Sequence, residues 1–149
     1  DAARRLGALG VVTPEDAERL WQRLRLTNAE HARLAAMGGT WPQLSPAHGE
    51  GAARAQLYRL KPAHYVDCTL LAWARSQASA HDEAWRALVT LPQRWTAPVF
   101  PLKAADFIKR GLDKGPALGA AMRAAETAWV EADFPMAAAA LDEIIARAI

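Results

Sequence analysis

The segment from residue 100 to residue 134 constrains the fold most, because its capping, glycine and proline residues predict two helices joined by a tight turn. Asp106 is placed to cap a short helix that runs through Lys109. Gly111 can supply the positive φ that ends such a helix. Pro116 suits the first turn of the next helix. The segment therefore predicts a helix-turn-helix hairpin whose second helix begins with N–H groups that point outward.

The same segment is basic. Three of the four lysines fall within it, and residues 103–123 contain five basic and two acidic side chains, a net charge of +3. A helix N-terminus beside such charge favours a phosphate group, and glycine lets a phosphate approach the backbone closely. The predicted phosphate-binding residues are Lys103, Lys109, Arg110, Lys114, Gly115, Gly119 and Arg123. An ordinary helix-helix connector needs Gly and Pro at the same positions, so spacing alone leaves both interpretations open.

Helix signals dominate the rest of the chain. Thr13-Pro14 opens one helix, and Thr27 with Glu30 has the form of a capping box for the next, which Gly38-Gly39 is predicted to stop. No strand pattern competes anywhere. We therefore expect an all-α fold of seven to eight helices ending in the hairpin. The other predicted helices are one over about 47–60, one over about 62–76, one capped by Ser79 with Asp82 that ends before Pro92, and one from Pro135 to the C-terminus.

Length and composition set broad limits. A chain of 149 residues suits one helical domain, here divided into a body-like part at 1–95 and a tail-like part at 96–149. The net charge of +2 does not by itself indicate a nucleic-acid binder, so any basic surface must be local. Cys68 is the only cysteine, which excludes an internal disulfide and fits a reducing compartment. No apolar run is long enough to cross a bilayer. We expect a cytoplasmic protein without a membrane segment.

Catalytic and metal-binding patterns are weak. The string Glu15-Asp16-Ala17-Glu18-Arg19 matches the Glu-Asp-x-x-Arg motif with which some nucleotidyltransferases read a nucleotide base, but acidic residues are common in any first helical turn. The histidines lack a second ligand at helical spacing, and no Asp-x-Asp pair is present to hold magnesium. We therefore predict no catalytic residue and no metal ligand.

Aromatic and arginine side chains give two further expectations. The sequence predicts core positions for Trp21, Trp73, Trp85 and Trp129, and leaves Trp41 and Trp95 open as contact residues in loops. A second basic surface, or simply a solvated face, is predicted for Arg23, Arg25, Arg33, Arg54 and Arg59.

Several of these runs resemble a known family. They are Leu24–Glu30, Leu57–Leu60, Leu71–Arg75 and Phe100–Leu102, followed by Gly111-Leu112, Gly115-Pro116, Gly119 and Trp129. In this order they resemble the C-terminal part of bacterial CCA-adding enzymes, the tRNA nucleotidyltransferases grouped with poly(A) polymerases. The Gly-Leu-x-x-Gly-Pro-x-x-Gly element is the most specific part of the resemblance.

The resemblance implies a C-terminal RNA-binding domain that lacks the catalytic head and neck and is inactive alone. Its partners would be tRNA or another structured RNA, together with its own head and neck. The domain would hold no cofactor, whereas the parent enzyme would use Mg²⁺ with ATP and CTP. Whether the parent adds CCA, A alone or poly(A) stays open. Two other classes also stay open, a generic helix-hairpin-helix-like module and a structural or dimerisation domain.

Overall fold

The computed structural model describes all residues from Asp1 to Ile149 and contains eight α-helices and no strand. The all-α prediction is therefore confirmed. The helices are α1 (Ala2–Gly10), α2 (Pro14–Leu24), α3 (Asn28–Thr40), α4 (Gly49–Arg75), α5 (Glu83–Arg94), α6 (Ala104–Ile108), α7 (Pro116–Glu131) and α8 (Ala138–Ala148), with short 3₁₀ turns at Trp41–Gln43 and Pro46–His48. No helix is long and apolar enough to cross a membrane.

The chain forms two compact units, Asp1–Thr96 and Ala97–Ile149. In the first unit α3 packs between α2 and α4, α5 packs on α4, and α1 lies against α3 and α4. In the second unit α7 packs against both α6 and α8. Each unit buries its own apolar side chains.

The core of the first unit includes Leu34, Met37, Leu57, Tyr65 and Leu91, all of them nearly inaccessible to solvent. The core of the second unit centres on Trp129. The Trp129 ring lies edge-on to the Phe134 ring at 4.9 Å, and its indole N–H donates to the carbonyl of Pro135 at 2.9 Å. Phe107 from α6 and Ile145 from α8 are also buried in this unit.

The helix start predicted at Thr13-Pro14 and the capping box predicted at Thr27 and Glu30 are both present. One carboxylate oxygen of Asp16 accepts the backbone N–H groups of Val12 and Thr13, both at 2.9 Å. At α3 the backbone N–H of Thr27 donates to Glu30 at 2.8 Å, and the N–H of Glu30 donates to the Thr27 hydroxyl at 3.2 Å. The capping box is therefore confirmed.

The prediction that Gly38-Gly39 ends α3 is wrong, because the helix continues to Thr40. A Cβ atom at Gly38 would lie 2.5 Å from the carbonyl carbon and oxygen of Thr13. Gly38 therefore serves the close approach of α3 to the backbone at the start of α2 and does not act as a helix stop.

Four other helices differ from the prediction. The sequence analysis predicted no helix at the position of α1. α5 begins after Asp82, whose side chain accepts the N–H of Trp85 at 3.0 Å, and it continues past Pro92 to Arg94. α8 begins at Ala138, after Pro135.

The helices predicted over 47–60 and 62–76 form α4, which is broken where Lys61 adopts φ 64° and ψ 161°. That conformation is nearly exclusive to glycine.

A buried carboxylate connects three helices of the first unit. The Asp67 side chain on α4 is 1% exposed and accepts the Nε–H of Arg4 from α1 at 2.6 Å. It also accepts two N–H groups of Arg33 from α3, with Nη2 of Arg33 at 2.9 Å from Oδ1. Burial opposes ionisation of Asp67, but the hydrogen bonds from Arg33 and Arg4 outweigh it, so the pKa of this carboxyl lies below its usual value.

The tryptophans divide between core and periphery. Trp129 and Trp85 are buried as predicted, whereas Trp21 and Trp73 are partly exposed. Trp41 donates its indole N–H to the carbonyl of Val12 at 3.1 Å, and the Arg75 guanidinium covers its ring at 4.7 Å. The ring of Trp41 therefore has a structural role in this unit.

The two adjacent glycines of α3 allow a matched test of packing. We expect Gly38→Ala to lower the free energy of unfolding by about 1–3 kcal/mol because the new methyl group would overlap the backbone of Thr13. Gly39→Ala should raise it by about 0.5–1 kcal/mol, since alanine is favoured over glycine inside a helix and the new methyl would meet Pro14 at an ordinary 3.6 Å. Chemical denaturation measures both. Equal effects at the two positions would contradict this account.

The Asp67 carboxylate allows a test of pH dependence. We expect Asp67→Asn to lower the free energy of unfolding by about 2–3 kcal/mol at pH 7, because it leaves two arginines without their shared counter-charge. Since the folded pKa is depressed, this contribution is complete above the unfolded pKa of about 3.9 and is lost as the pH falls through the folded pKa. The difference between wild type and variant should therefore be constant from about pH 8 to 5 and shrink below about pH 4.

The control for this experiment is Arg19→Ala, which removes an exposed ion pair to Asp16. It should change the free energy of unfolding by less than about 1 kcal/mol. The contrary result is a difference in free energy of unfolding between wild type and Asp67→Asn that stays constant down to pH 2. That result would show that the carboxylate does not stabilise the fold through its charge.

Candidate nucleic-acid interface

The first helix of the hairpin is α6, and its N-terminal cap differs from the prediction. Lys103 occupies the N-cap position, and its backbone N–H donates to Oδ2 of Asp106 at 2.8 Å. Asp106 is the third residue of the helix, so the prediction that it is the capping residue itself is wrong. Its carboxylate still satisfies a backbone donor at the helix start.

The turn after α6 is built around Gly111 and Phe107. Gly111 has φ 96°, so the prediction that it supplies a positive φ is confirmed. Its N–H donates to the carbonyl of Ile108 at 3.0 Å, and the N–H of Leu112 donates to the carbonyl of Phe107 at 3.3 Å. Because the Phe107 side chain is fully buried, it anchors this turn to the core of the second unit.

The second arm, α7, begins at Pro116 as predicted. Gly115 precedes it as the N-cap, with no side chain that could accept a backbone N–H, and the first turn contains no acidic residue. An acidic side chain is present in the first turn of α2, α3, α4, α5 and α6, whereas α1 has only its Asp1 cap and α8, like α7, has neither a side-chain cap nor an acid there. The positive end of α7 is thus uncompensated by its own side chains, and Lys114 stands next to it.

The seven predicted phosphate-binding residues lie in the second unit, and all except Gly119 are exposed. Lys103, Lys109, Lys114 and Arg123 form no salt bridge. Arg110 differs from them, because its guanidinium pairs with Asp142 of α8 and donates to the carbonyl of Asp106 at 3.2 Å. Four of the five predicted basic side chains therefore keep an uncompensated charge.

The two glycines of the site have different surroundings. Gly115 has an extended backbone with φ 160°, and nothing lies within 4 Å of where its Cβ would be. At Gly119 a Cβ would lie 3.4 Å from a terminal nitrogen of Arg123, one turn further along α7. The structure thus brings Gly119 and Arg123 together, and it leaves the surface at Gly115 open.

The second basic surface predicted in the first unit is partly neutralised. Arg33 is bound to Asp67 and Asp1, and Arg54 pairs with Glu50 at 2.7 Å. Exposed positions are occupied by Arg23, Arg25 and Arg59. Of the two interpretations left open for these arginines, a basic surface is not supported at Arg33 and Arg54, whose charges are paired with acids.

The nucleotide-reading string serves the start of α2. The hydrogen bonds from the backbone of Thr13 and Val12 lower the pKa of Asp16, and Arg19 pairs with the same carboxylate at 3.2 Å. Glu18 contacts His31 at 3.1 Å. Cys68 is buried, which raises the pKa of its thiol to about 12. No group of three or more His, Cys, Asp or Glu side chains is arranged to hold a metal ion.

The sequence reasoning missed the cluster of Arg4, Arg33 and Asp67. A signal for it existed, because Asp67 stands between Val66 and Cys68 on the apolar side of a helix, where a charged residue needs a buried partner. The identity of the partners could not be read from sequence, since they lie on two other helices.

Fold and site together define the class as an all-helical chain with an exposed basic hairpin. Among known proteins, one relative is described as an uncharacterized 28 kDa protein in the petA 5′ region of Rhodospirillum rubrum. It is 38% identical over 105 residues, which cover 66% of this chain and 40% of the relative, so the match spans less than half of that longer protein. No family model and no solved structure matches the chain. The resemblance to CCA-adding enzymes stays a prediction.

The two turn glycines separate backbone strain from surface contact. We expect Gly111→Ala to lower the free energy of unfolding by about 1 kcal/mol, because alanine is strained at φ 96°. Gly115→Ala should be within about 0.5 kcal/mol of wild type, since its backbone is extended and its surroundings are open. Thermal unfolding of the two variants tests this, and a large destabilisation by Gly115→Ala would show that the turn packs more tightly than described.

Proposed function

We propose that this chain binds structured RNA, and tRNA in particular, as the C-terminal portion of a nucleotidyltransferase of the CCA-adding and poly(A) polymerase group. In this proposal the hairpin of α6 and α7 contacts backbone phosphates and positions the RNA. A head and neck elsewhere in the parent protein add the nucleotides, with Mg²⁺, ATP and CTP bound there. The proposed compartment is the cytoplasm.

The observation that carries this proposal is the open positive end of α7 beside Lys114. The helix start has neither a side-chain cap nor an acid in its first turn, and the residue before Gly115 is an unpaired lysine. An oxyanion at this position would accept backbone N–H groups and neutralise the adjacent lysine at once. Phosphate is the oxyanion that nucleic acids present most densely.

Lys103, Lys109 and Arg123 supply further exposed positive charge on the same unit. Contacts of this kind hold RNA in register without reading its bases, because backbone phosphates carry no sequence information. Recognition would then follow the shape of the RNA. Arg110 has a smaller part, since Asp142 already pairs with it.

Charge reversal at the turn tests the proposal. We expect Lys114→Glu to weaken tRNA binding about tenfold or more at low salt and to reduce the slope of log affinity against log salt, because one phosphate contact is lost and a repulsive charge is added. Fluorescence anisotropy with labelled tRNA measures both quantities, and circular dichroism checks that the variant keeps the helical fold.

Arg147→Glu is the matched control, since Arg147 is an exposed cation of α8 in the same unit and pairs only with Glu143. It should change the tRNA affinity far less than Lys114→Glu. Gly115→Ala adds a second readout, because a loss of binding without loss of stability would place RNA against the backbone there. An unchanged dissociation constant for Lys114→Glu at low salt would remove this turn from the interface.

A further inference from the structure

We propose that the cleft between α1, α3 and the kink of α4 is a second oxyanion site, one that binds a phosphate group through Arg4 and Arg33. The cleft has a volume of about 660 Å³. Its lining includes Arg4, Arg33, His64 and Asp67, together with Pro62 and Ala63 at the kink. It lies in the first unit, so the inference is independent of the hairpin.

The arginines are held in place by a carboxylate that is almost completely buried. Asp67 is 1% exposed, whereas the Arg4 and Arg33 side chains are 41% and 28% exposed. Asp67 balances one of the two guanidinium charges, and the exposed Asp1 carboxylate, which also pairs with Arg33, balances the other, so the arginines present a net charge of +1 where a ligand displaces Asp1. Such buttressing fixes the orientation of each arginine before a ligand arrives, which reduces the entropy lost on binding.

Each arginine keeps donors that Asp67 does not use. Arg4 contacts Asp67 through Nε alone, so its two terminal nitrogens make no hydrogen bond within the chain. Arg33 uses Nε and Nη2, which leaves Nη1. The planar edge of a guanidinium matches two oxygens of a phosphate group. Arg4 offers such an edge through its two terminal nitrogens, and Arg33 adds Nη1, so a tetrahedral oxyanion in the cleft could accept from both arginines.

One carboxylate of the chain already binds Arg33 in the way proposed for a phosphate group. The exposed side chain of Asp1 accepts Nη2 of Arg33 at 2.8 Å. Asp1 also caps α1, because its other oxygen accepts the N–H of Arg4 at 3.1 Å. A phosphate group entering the cleft would compete with the Asp1 carboxylate for Arg33.

The kink of α4 places a helix start beside the same arginines. Lys61 adopts φ 64° and ψ 161°, and the second half of α4 begins with Pro62 next to the cleft. The positive end of this half-helix adds to the field of the arginines. The strained backbone at Lys61 therefore directs Pro62 and Ala63, which line the cleft.

The test is a titration of the whole chain followed by NMR of the arginine Nε–H signals, at constant ionic strength. The probes are inorganic phosphate, adenosine 5′-monophosphate and a short single-stranded RNA without terminal phosphates. We expect saturable shifts of the Arg4 and Arg33 signals. Shifts with the first two probes alone identify a free phosphate or nucleotide as the source, and shifts with the RNA identify a backbone phosphate. Absence of a shift with all three overturns the proposal.

Variants separate the site from a general charge effect. Arg4→Gln should weaken phosphate binding about tenfold, because it removes one charged fork. The control is Arg5→Gln, which also removes one positive charge from α1 but at a residue outside this cleft. It should change the affinity for phosphate less than about twofold. Asp1→Asn keeps a good N-cap and removes the competing carboxylate, so it should tighten binding. Equal weakening by Arg4→Gln and Arg5→Gln, or weaker binding by a folded Asp1→Asn, would contradict the proposed site.

Failure here is distinguishable from failure of the hairpin proposal. Lys114→Glu should leave the Arg4 and Arg33 shifts unchanged, and Arg4→Gln should leave the Lys114-dependent part of tRNA binding unchanged.

Discussion

The first unit depends on one buried charge. Asp67 has no access to water and is stable there because Arg33 and Arg4 reach it from two other helices. Removing a carboxylate from water is costly unless hydrogen bonds and counter-charges replace the lost hydration. The three side chains therefore fix which faces of α1, α3 and α4 meet, a specificity that alanine-rich packing alone would define poorly. The same pairing leaves arginine donors along the edge of a cleft, so a structural constraint and a candidate binding surface arise from one arrangement.

The second unit distributes its charges in the opposite way. Its core is aromatic, with Trp129 packed against Phe134 and its indole satisfied by a backbone carbonyl. The basic side chains of the hairpin stay outside this core, and all except Arg110 lack an acidic partner. An uncapped helix start beside an unpaired lysine has no evident role in packing. In this unit the buried polar group is hydrogen-bonded, whereas most of the exposed basic side chains have no acidic partner. This difference is the physical basis for proposing an RNA-binding hairpin.

Local chemistry decided which parts of the fold could be predicted. The capping box at Thr27 and Glu30, the positive φ of Gly111 and Pro116 at the start of α7 were predictable because each depends on neighbouring residues only. Gly38 was misread because its reason is a contact with Thr13 from another helix. Arg33 and Arg110 were expected on basic surfaces, but acids distant in sequence neutralise them. Long-range pairing thus limited the prediction of the site more than that of the helices.

The most direct test of RNA recognition is a comparison of tRNA with a duplex DNA of equal charge, each titrated with salt against the intact chain. Tighter binding of tRNA with a steep salt dependence is the predicted result, because phosphate contacts release counterions and their arrangement selects the shape of the RNA. Equal affinity for the two nucleic acids would indicate a generic module of the helix-hairpin-helix type. Absence of binding to either, with a mass that increases with concentration, would contradict the account and favour a structural or dimerisation domain.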